Sequence, residues 1–166
     1  MRQAFVAMIL LLLAATAFAQ GDDAVVHWQT IVGVITAPGI SNPVAGIASG
    51  GLPWTTTGGQ ATVNLMTGNI EFNVRGLVLN GGNSTGTPDA ITDVKGTLVC
   101  NSGSAAQAIL DTATVPLSLQ GDAQFQGNLG SVPSPCSNPL FLVRIVANGR
   151  WIATGAVRTA GGENTR

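Results

Sequence analysis

The sequence predicts an all-β fold: an antiparallel β-sandwich or partly closed barrel of about eight strands. Three observations predict it. Much of the chain divides into short segments rich in Val, Ile, Thr and Phe, several with apolar residues at alternate positions. Turn chemistry separates these segments, with 22 glycines and 8 prolines in 166 residues. Outside the N-terminal leader, only Ala105 to Asp111 has any helical appeal, and Ala106 to Leu110 within it reads equally well as a strand.

Ala24 to Thr36 is a β-branched run and forms the first strand. Pro38, Pro43, Pro53 and several glycines make Ala37 to Gly59 a long surface connection. Gln60 to Met66 and Ile70 to Leu79 alternate on either side of Thr67-Gly68-Asn69. A two-residue turn at Gly68-Asn69 sets Leu65 opposite Phe72 and Val63 opposite Val74 on a dry face. The wet face then pairs Met66 with Glu71, Asn64 with Asn73 and Thr62 with Arg75. Asn80 to Pro88 is a loop, and Ile91 to Cys100, Val115 to Leu119 and Asp122 to Leu129 are strands. Three prolines keep Ser131 to Pro139 out of any sheet.

Leu140 to Ala147, Asn148-Gly149 and Arg150 to Arg158 read as a closing hairpin. A two-residue turn sets Ile145 opposite Ile152 and Arg144 opposite Ala153. Both faces are apolar for most of their length, so this hairpin is expected at the centre of the sheet and covered twice. The cover is expected from the chain itself, the 37–59 connection being one source, rather than from a second copy.

The chain is 45% hydrophobic but only 9% charged, against about 25% in a typical globular domain. Its net charge of −1 leaves no basic field for nucleic acid. Met1 to Ala19 has the form of a secretory signal peptide: Arg2, an uncharged run, then Ala17-Phe18-Ala19 as a small-x-small cleavage site. Its apolar core is shorter than the roughly 20 residues of a membrane span. The expected protein is exported, periplasmic or extracellular, with a single β domain over residues 20–166, an ordered core over 24–158 and a flexible tail over 159–166.

Cys100 and Cys136 are expected to pair in an oxidising compartment. The chain-entropy argument gives about 3.8 kcal/mol for a loop of about 37 residues. The remaining chemistry is sparse. His27 is the one histidine, and it lies in a predicted strand with no GxSxG elbow elsewhere. Glu71 and Arg75 share the wet face of the first hairpin, which suits a solvated pair better than general acid catalysis. Asn80, Asn83, Asp89 and Asp93 sit in or beside a glycine-rich loop and are weak calcium candidates. They lack EF-hand spacing, and turn chemistry accounts for them. Trp54, between Pro53 and three threonines, is a candidate ligand contact if exposed, since an indole can stack on a sugar or a partner; the alternative is an indole capping the sheet edge. Asn80-Gly81-Gly82-Asn83 lacks the lysine of a phosphate-binding loop. Asn83-Ser84-Thr85 is formally a glycosylation sequon.

Gly59 to Leu65 followed by Thr67 to Leu77 resembles the opening strand pair of chordin-type (CHRD) domains of secreted bacterial proteins. Pro116 to Gly127 and Gly149 to Gly155 resemble segments of uncharacterised exported bacterial proteins. The resemblance implies a secreted β-domain without catalytic residues. The chordin-type pattern places histidines after its Gly-Leu step. Here Gly76-Leu77 is followed by Val78-Leu79-Asn80, so no ligand role tied to those histidines carries over.

These readings point to a non-catalytic binding or assembly module of the envelope or extracellular space, with an unidentified partner there, no cofactor, no nucleic acid, no membrane span after leader removal, and a monomer in preference to a dimer. The alternative is a small secreted hydrolase that uses loop carboxylates or a loop-bound metal.

Overall fold

The computed structural model describes residues 24–160. The leader, 1–19, and residues 161–166 of the tail lie outside them. The described chain is all-β, with strands β1 (Val25–Gly33), β2 (Trp54–Thr55), β3 (Gly58–Asn64), β4 (Asn69–Arg75), β5 (Val78–Leu79), β6 (Asp93–Cys100), β7 (Ala108–Asp111), β8 (Val115–Pro116), β9 (Ala123–Asn128), β10 (Leu140–Ile145) and β11 (Trp151–Ala160). Eight of them form one curled antiparallel sheet in the order β7-β6-β10-β11-β1-β3-β4-β9, a half-barrel. The short β8 also pairs with β6, and its chain turns at Ser118–Gly121 into β9 at the far edge, so one turn bridges the gap in the barrel. β2 and β5 form a separate two-stranded sheet.

Alternation along each strand fills the inside. Ala61, Val63, Ile70, Phe72 and Val74 point in from β3 and β4, as their periodicity demands. The centre is aromatic: Phe72 lies between Phe141 and Phe125, with ring centroids 5.4 and 6.0 Å away, and Trp28 meets Phe141 at 5.8 Å. Glycine makes room for these rings. A Cβ on Gly96 would stand 2.7 Å from the Phe72 ring, and one on Gly155 would stand 2.6 Å from the Trp28 indole.

Both hairpins keep the expected strands but not the expected turns. In the first, Ala61 pairs with Phe72 and Thr62 with Glu71, because the loop holds four residues, Leu65 to Gly68. Asn64 selects it: its Oδ1 accepts from the Met66 and Thr67 amides at 3.0 Å each, and Gly68 N donates to Asn64 O. The four-residue slip preserves the parity, so the inward set is unchanged. Arg75 therefore faces Gly58 rather than Thr62.

The closing hairpin repeats this device. Gly149 N donates to Ile145 O around Val146 to Gly149, and Gly149 alone in that loop has positive φ (68°). A primed two-residue turn would need positive φ at Asn148 as well. The register shifts between Val143 and Arg144, placing Arg144 opposite Trp151 instead of Ala153.

The closing hairpin is central, between β6 and β1, and Leu142 and Val143, on opposite faces of β10, are both fully buried. Residues 37–52 form a strap over its outer face. At one end, Trp151 exchanges backbone hydrogen bonds with Ala48 and Gly50, and its indole Nε1 donates to Asn42 O at 2.9 Å. At the other, Ala45 O accepts from Gln107 Nε2, beside the start of β7. Between these anchors Val44, Ala45 and Ile47 pack on the core, which accounts for the burial of the outward-facing Thr97 and Leu142.

The strand predicted over Ile70 to Leu79 breaks at Gly76, where φ is 59°. Gly76 N donates to Asp122 Oδ1 and Leu77 N to Gly121 O, so Val78 and Leu79 leave the main sheet to pair with β2. The segment with helical appeal ends in strand β7, held by β6. Thr159 and Ala160, assigned to the tail by sequence, extend β11 opposite His27 and Val26. No helix of the described residues is long and apolar enough to cross a membrane.

Candidate functional site: an amide-rich outer sheet face

The outward positions of β3, β4 and β9 form a grid of three rows across three strands. The rows are Asn64, Asn69 and Asn128; Thr62, Glu71 and Gln126; and Gln60, Asn73 and Gln124. Seven of these nine side chains are carboxamides. The strand period puts neighbours along a strand about 7 Å apart, and pairing puts neighbours across strands about 5 Å apart. β1 extends the middle row with His27, whose Nδ1 hydrogen-bonds Thr62 Oγ1 at 2.8 Å.

The first row is committed to structure. Asn64 holds the hairpin loop, as described. Asn128 Nδ2 donates to Asn69 Oδ1 and Thr67 O, and Asn128 Oδ1 accepts from Gly130 N. The other rows are open. Two shallow clefts adjoin them: one of about 580 Å³ beside Asn69, Glu71 and Gln126, and one of about 650 Å³ beside Asn73, Gln124, Arg75 and Asp122, at the gap between β8 and β9.

A second polar group lies on the outer face of β6, β7 and β10. Asp111 accepts from Lys95 Nζ at 2.5 Å, Thr97 Oγ1 at 2.7 Å and Arg144 Nη1 at 3.0 Å. Burial pushes the Asp111 carboxyl up, but the hydrogen bonds from Lys95 and Thr97 and the charges of Arg144 and Lys95 outweigh it and hold the group below its ordinary value. Arg144 Nε also donates to Gly149 O at 2.7 Å, tying the cluster to the closing turn. Both ion pairs among the described residues use Asp111, so the expected Glu71–Arg75 pair is not formed. The register separates those two residues by rows, and Glu71 faces Thr62 and Gln126.

The structure brings Cys100 and Cys136 together in a disulfide with Cα atoms 4.8 Å apart, tying the proline-rich connection to the end of β6. It does not expose Trp54. That residue is 5% accessible, pairs with Leu79 in the small sheet and lies against Gly33 and Gly50. As a ligand contact Trp54 is therefore corrected to a core side chain: Gly33, lacking a Cβ, lets the Trp54 backbone approach β1 closely and turn the indole inward. Two of the calcium candidates each have one carboxylate oxygen engaged by a neighbouring hydroxyl, and Asn80 is tied through its backbone. Asp89 Oδ1 accepts from Ser84 Oγ, Asp93 Oδ2 accepts from Thr92 Oγ1, and Asn80 N donates to Pro53 O. Asn83 is exposed in the same loop. No group of three or more His, Cys, Asp or Glu suited to a metal occurs among the described residues.

Sequence reasoning paired Asn64 with Asn73 but missed the grid, because β9 joins β4 from far along the chain. The signal was present: Gln124, Gln126 and Asn128 alternate as Gln60 and Asn64 do. No family model, curated protein or solved structure matches this chain.

Proposed function

We propose that the chain is an exported β-domain that works by binding or assembly rather than catalysis, in the cell envelope or outside the cell. The observation that carries this reading is the outer face of β3, β4 and β9. It is a contiguous array of outward hydrogen-bonding side chains, seven carboxamides with one threonine and one glutamate, suited to recognition of polar groups. Two further features support it. The Cys100–Cys136 disulfide suits an oxidising compartment, and Met1 to Ala19 has the form of an export signal. The resemblance to chordin-type domains points the same way.

The test has two arms. Mass spectrometry of the protein from its native host is expected to find an N-terminus at or near Gln20 in the envelope or medium; a retained Met1 in a cytoplasmic fraction overturns the export half. Purified protein is expected to turn over no glycosidic or ester substrate and to hold no stoichiometric metal. An activity abolished by one acid-to-Ala substitution overturns the non-catalytic half.

A further inference from the structure

The face of β3, β4 and β9 carries hydrogen-bonding capacity that the protein leaves unused. Gln60, Glu71, Asn73, Gln124 and Gln126 have no side-chain hydrogen-bond partner among the described residues, whereas the neighbouring Asn64 and Asn69 each use their Oδ1 and Asn128 uses both ends of its amide. The unused groups are contiguous, lying in two adjacent rows and opening onto the clefts at either end. Along β4 the unused side chains of Glu71 and Asn73 lie about 7 Å apart, and the track runs about 14 Å as far as Arg75.

We propose that the track binds a neutral, hydroxyl-rich polysaccharide laid along β4 and β9; the proposal deepens the reading of the chain as a binding module and rests on it. A carboxamide offers two N–H donors and a carbonyl acceptor in one plane. A sugar hydroxyl is at once donor and acceptor, so neighbouring hydroxyls can satisfy both ends of one amide. Glu71 is acceptor-only and charged, which favours hydroxyl donors and repels phosphate, sulfate and uronate groups. Arg75 at the end of the track shares its cleft with Asp122, so no cationic field draws a polyanion. A protein partner would need apolar anchors, and none of the nine outward positions supplies one. With no aromatic ring on the grid, affinity comes from hydrogen bonds and depends on contact along a chain rather than on a single sugar.

The test uses the full chain, electrophoresed through native gels containing mixed-linkage β-glucan, galactomannan or dextran, with alginate as the anionic comparison. Retardation by at least one neutral polymer, insensitive to salt, is expected. In ¹⁵N NMR spectra the side-chain amide signals of Asn73, Gln124 and Gln126 should shift on titration with that polymer. Asn73→Ala and Gln126→Ala should each weaken binding about threefold to tenfold, the loss of one hydrogen bond, while Ser102→Ala in a distant loop leaves it unchanged. These positions are outward and uninvolved in packing, and unchanged backbone spectra verify the fold of each variant.

The proposal is overturned by lack of retardation with all three neutral polymers, by retardation in alginate alone, or by variants that bind like the parent. Shifts confined to the backbone amides of β9 with a concentration-dependent mass also overturn it, since they mean that the sheet edge pairs with a second copy. Shortened polymer in the wild-type sample, lost in the track variants, would sink the non-catalytic reading and leave the track in place. Lack of retardation sinks the track and leaves that reading standing.

Discussion

Arg144 on β10 reaches across the outer sheet face to Asp111 on β7, Nη1 to Oδ1 at 3.0 Å, and Lys95 of the intervening β6 holds the other carboxylate oxygen. Three strands are thus joined through one acid. Asp111→Asn is expected to cost about 1–2 kcal/mol at neutral pH, between the value of an exposed pair and that of a charge-assisted network.

The pH dependence follows from the same carboxylate. Its folded-state pKa lies below the ordinary value of 3.8, so above that pH both states are ionised and the whole contribution is present. As pH falls below it, the unfolded chain takes up the proton first, and the contribution is lost on passing through the folded pKa. Urea midpoints measured from pH 7 down to the acid limit should fall more steeply below about pH 4 in wild type than in Asp111→Asn. Parallel profiles would show that the cluster contributes nothing.

Gly96→Ala tests the aromatic interior. In a strand, alanine ordinarily exceeds glycine by about 0.5–1 kcal/mol. Here the added methyl would meet the Phe72 ring at 2.7 Å and Phe141 at 3.1 Å. The expected sign is therefore reversed, with a loss of about 1–3 kcal/mol from overpacking. A stabilised variant in chemical denaturation would show that the rings yield.

The Cys100–Cys136 bridge should leave no free thiol in unfolded, unreduced protein. Replacing both cysteines with serine is expected to cost about 2–4 kcal/mol, since the closed loop is long and its entropy is released to the unfolded chain. Two titratable thiols, or a variant as stable as the parent, would contradict the pairing or its weight.

What the sequence disclosed follows from what is local. The inward set on β3 and β4 was legible because side-chain parity survives a four-residue slip. The slip itself was not, because Asn64 competes for the loop amides with its own side chain. The break at Gly76 was hidden, since it depends on Asp122 and Gly121, far along the chain. The surroundings of Trp54 were hidden for a similar reason: its neighbours Gly33, Gly50 and Leu79 come from three separate segments. The candidate face was half legible, as the amides alternate in each strand, but only the β4–β9 pairing assembles them.

The strap is the remaining test, because the apolar outer face of the closing hairpin demands a cover. Trp151 is its hinge of attachment: its indole Nε1 donates to Asn42 O, and its backbone pairs with Ala48 and Gly50. Trp151→Phe keeps an aromatic side chain and the backbone pairing but deletes the indole donor along with part of the buried ring. It leaves the Asn42 carbonyl without that bond, at a cost of about 1 kcal/mol. Since Asn42 N also donates to Oγ of the buried Ser49, the loosening should spread along residues 42–50. Hydrogen exchange at the Gly50 and Ile47 amides is expected to quicken by about fivefold, the same free energy expressed as local opening, while amides of β3 and β4 keep their protection. Uniform quickening across both regions would mean that the strap opens only with the whole domain. Unchanged exchange at Gly50 would mean that the backbone pairing alone holds it. In either case the indole bond would not be the fastening that keeps Leu142 and Thr97 from water.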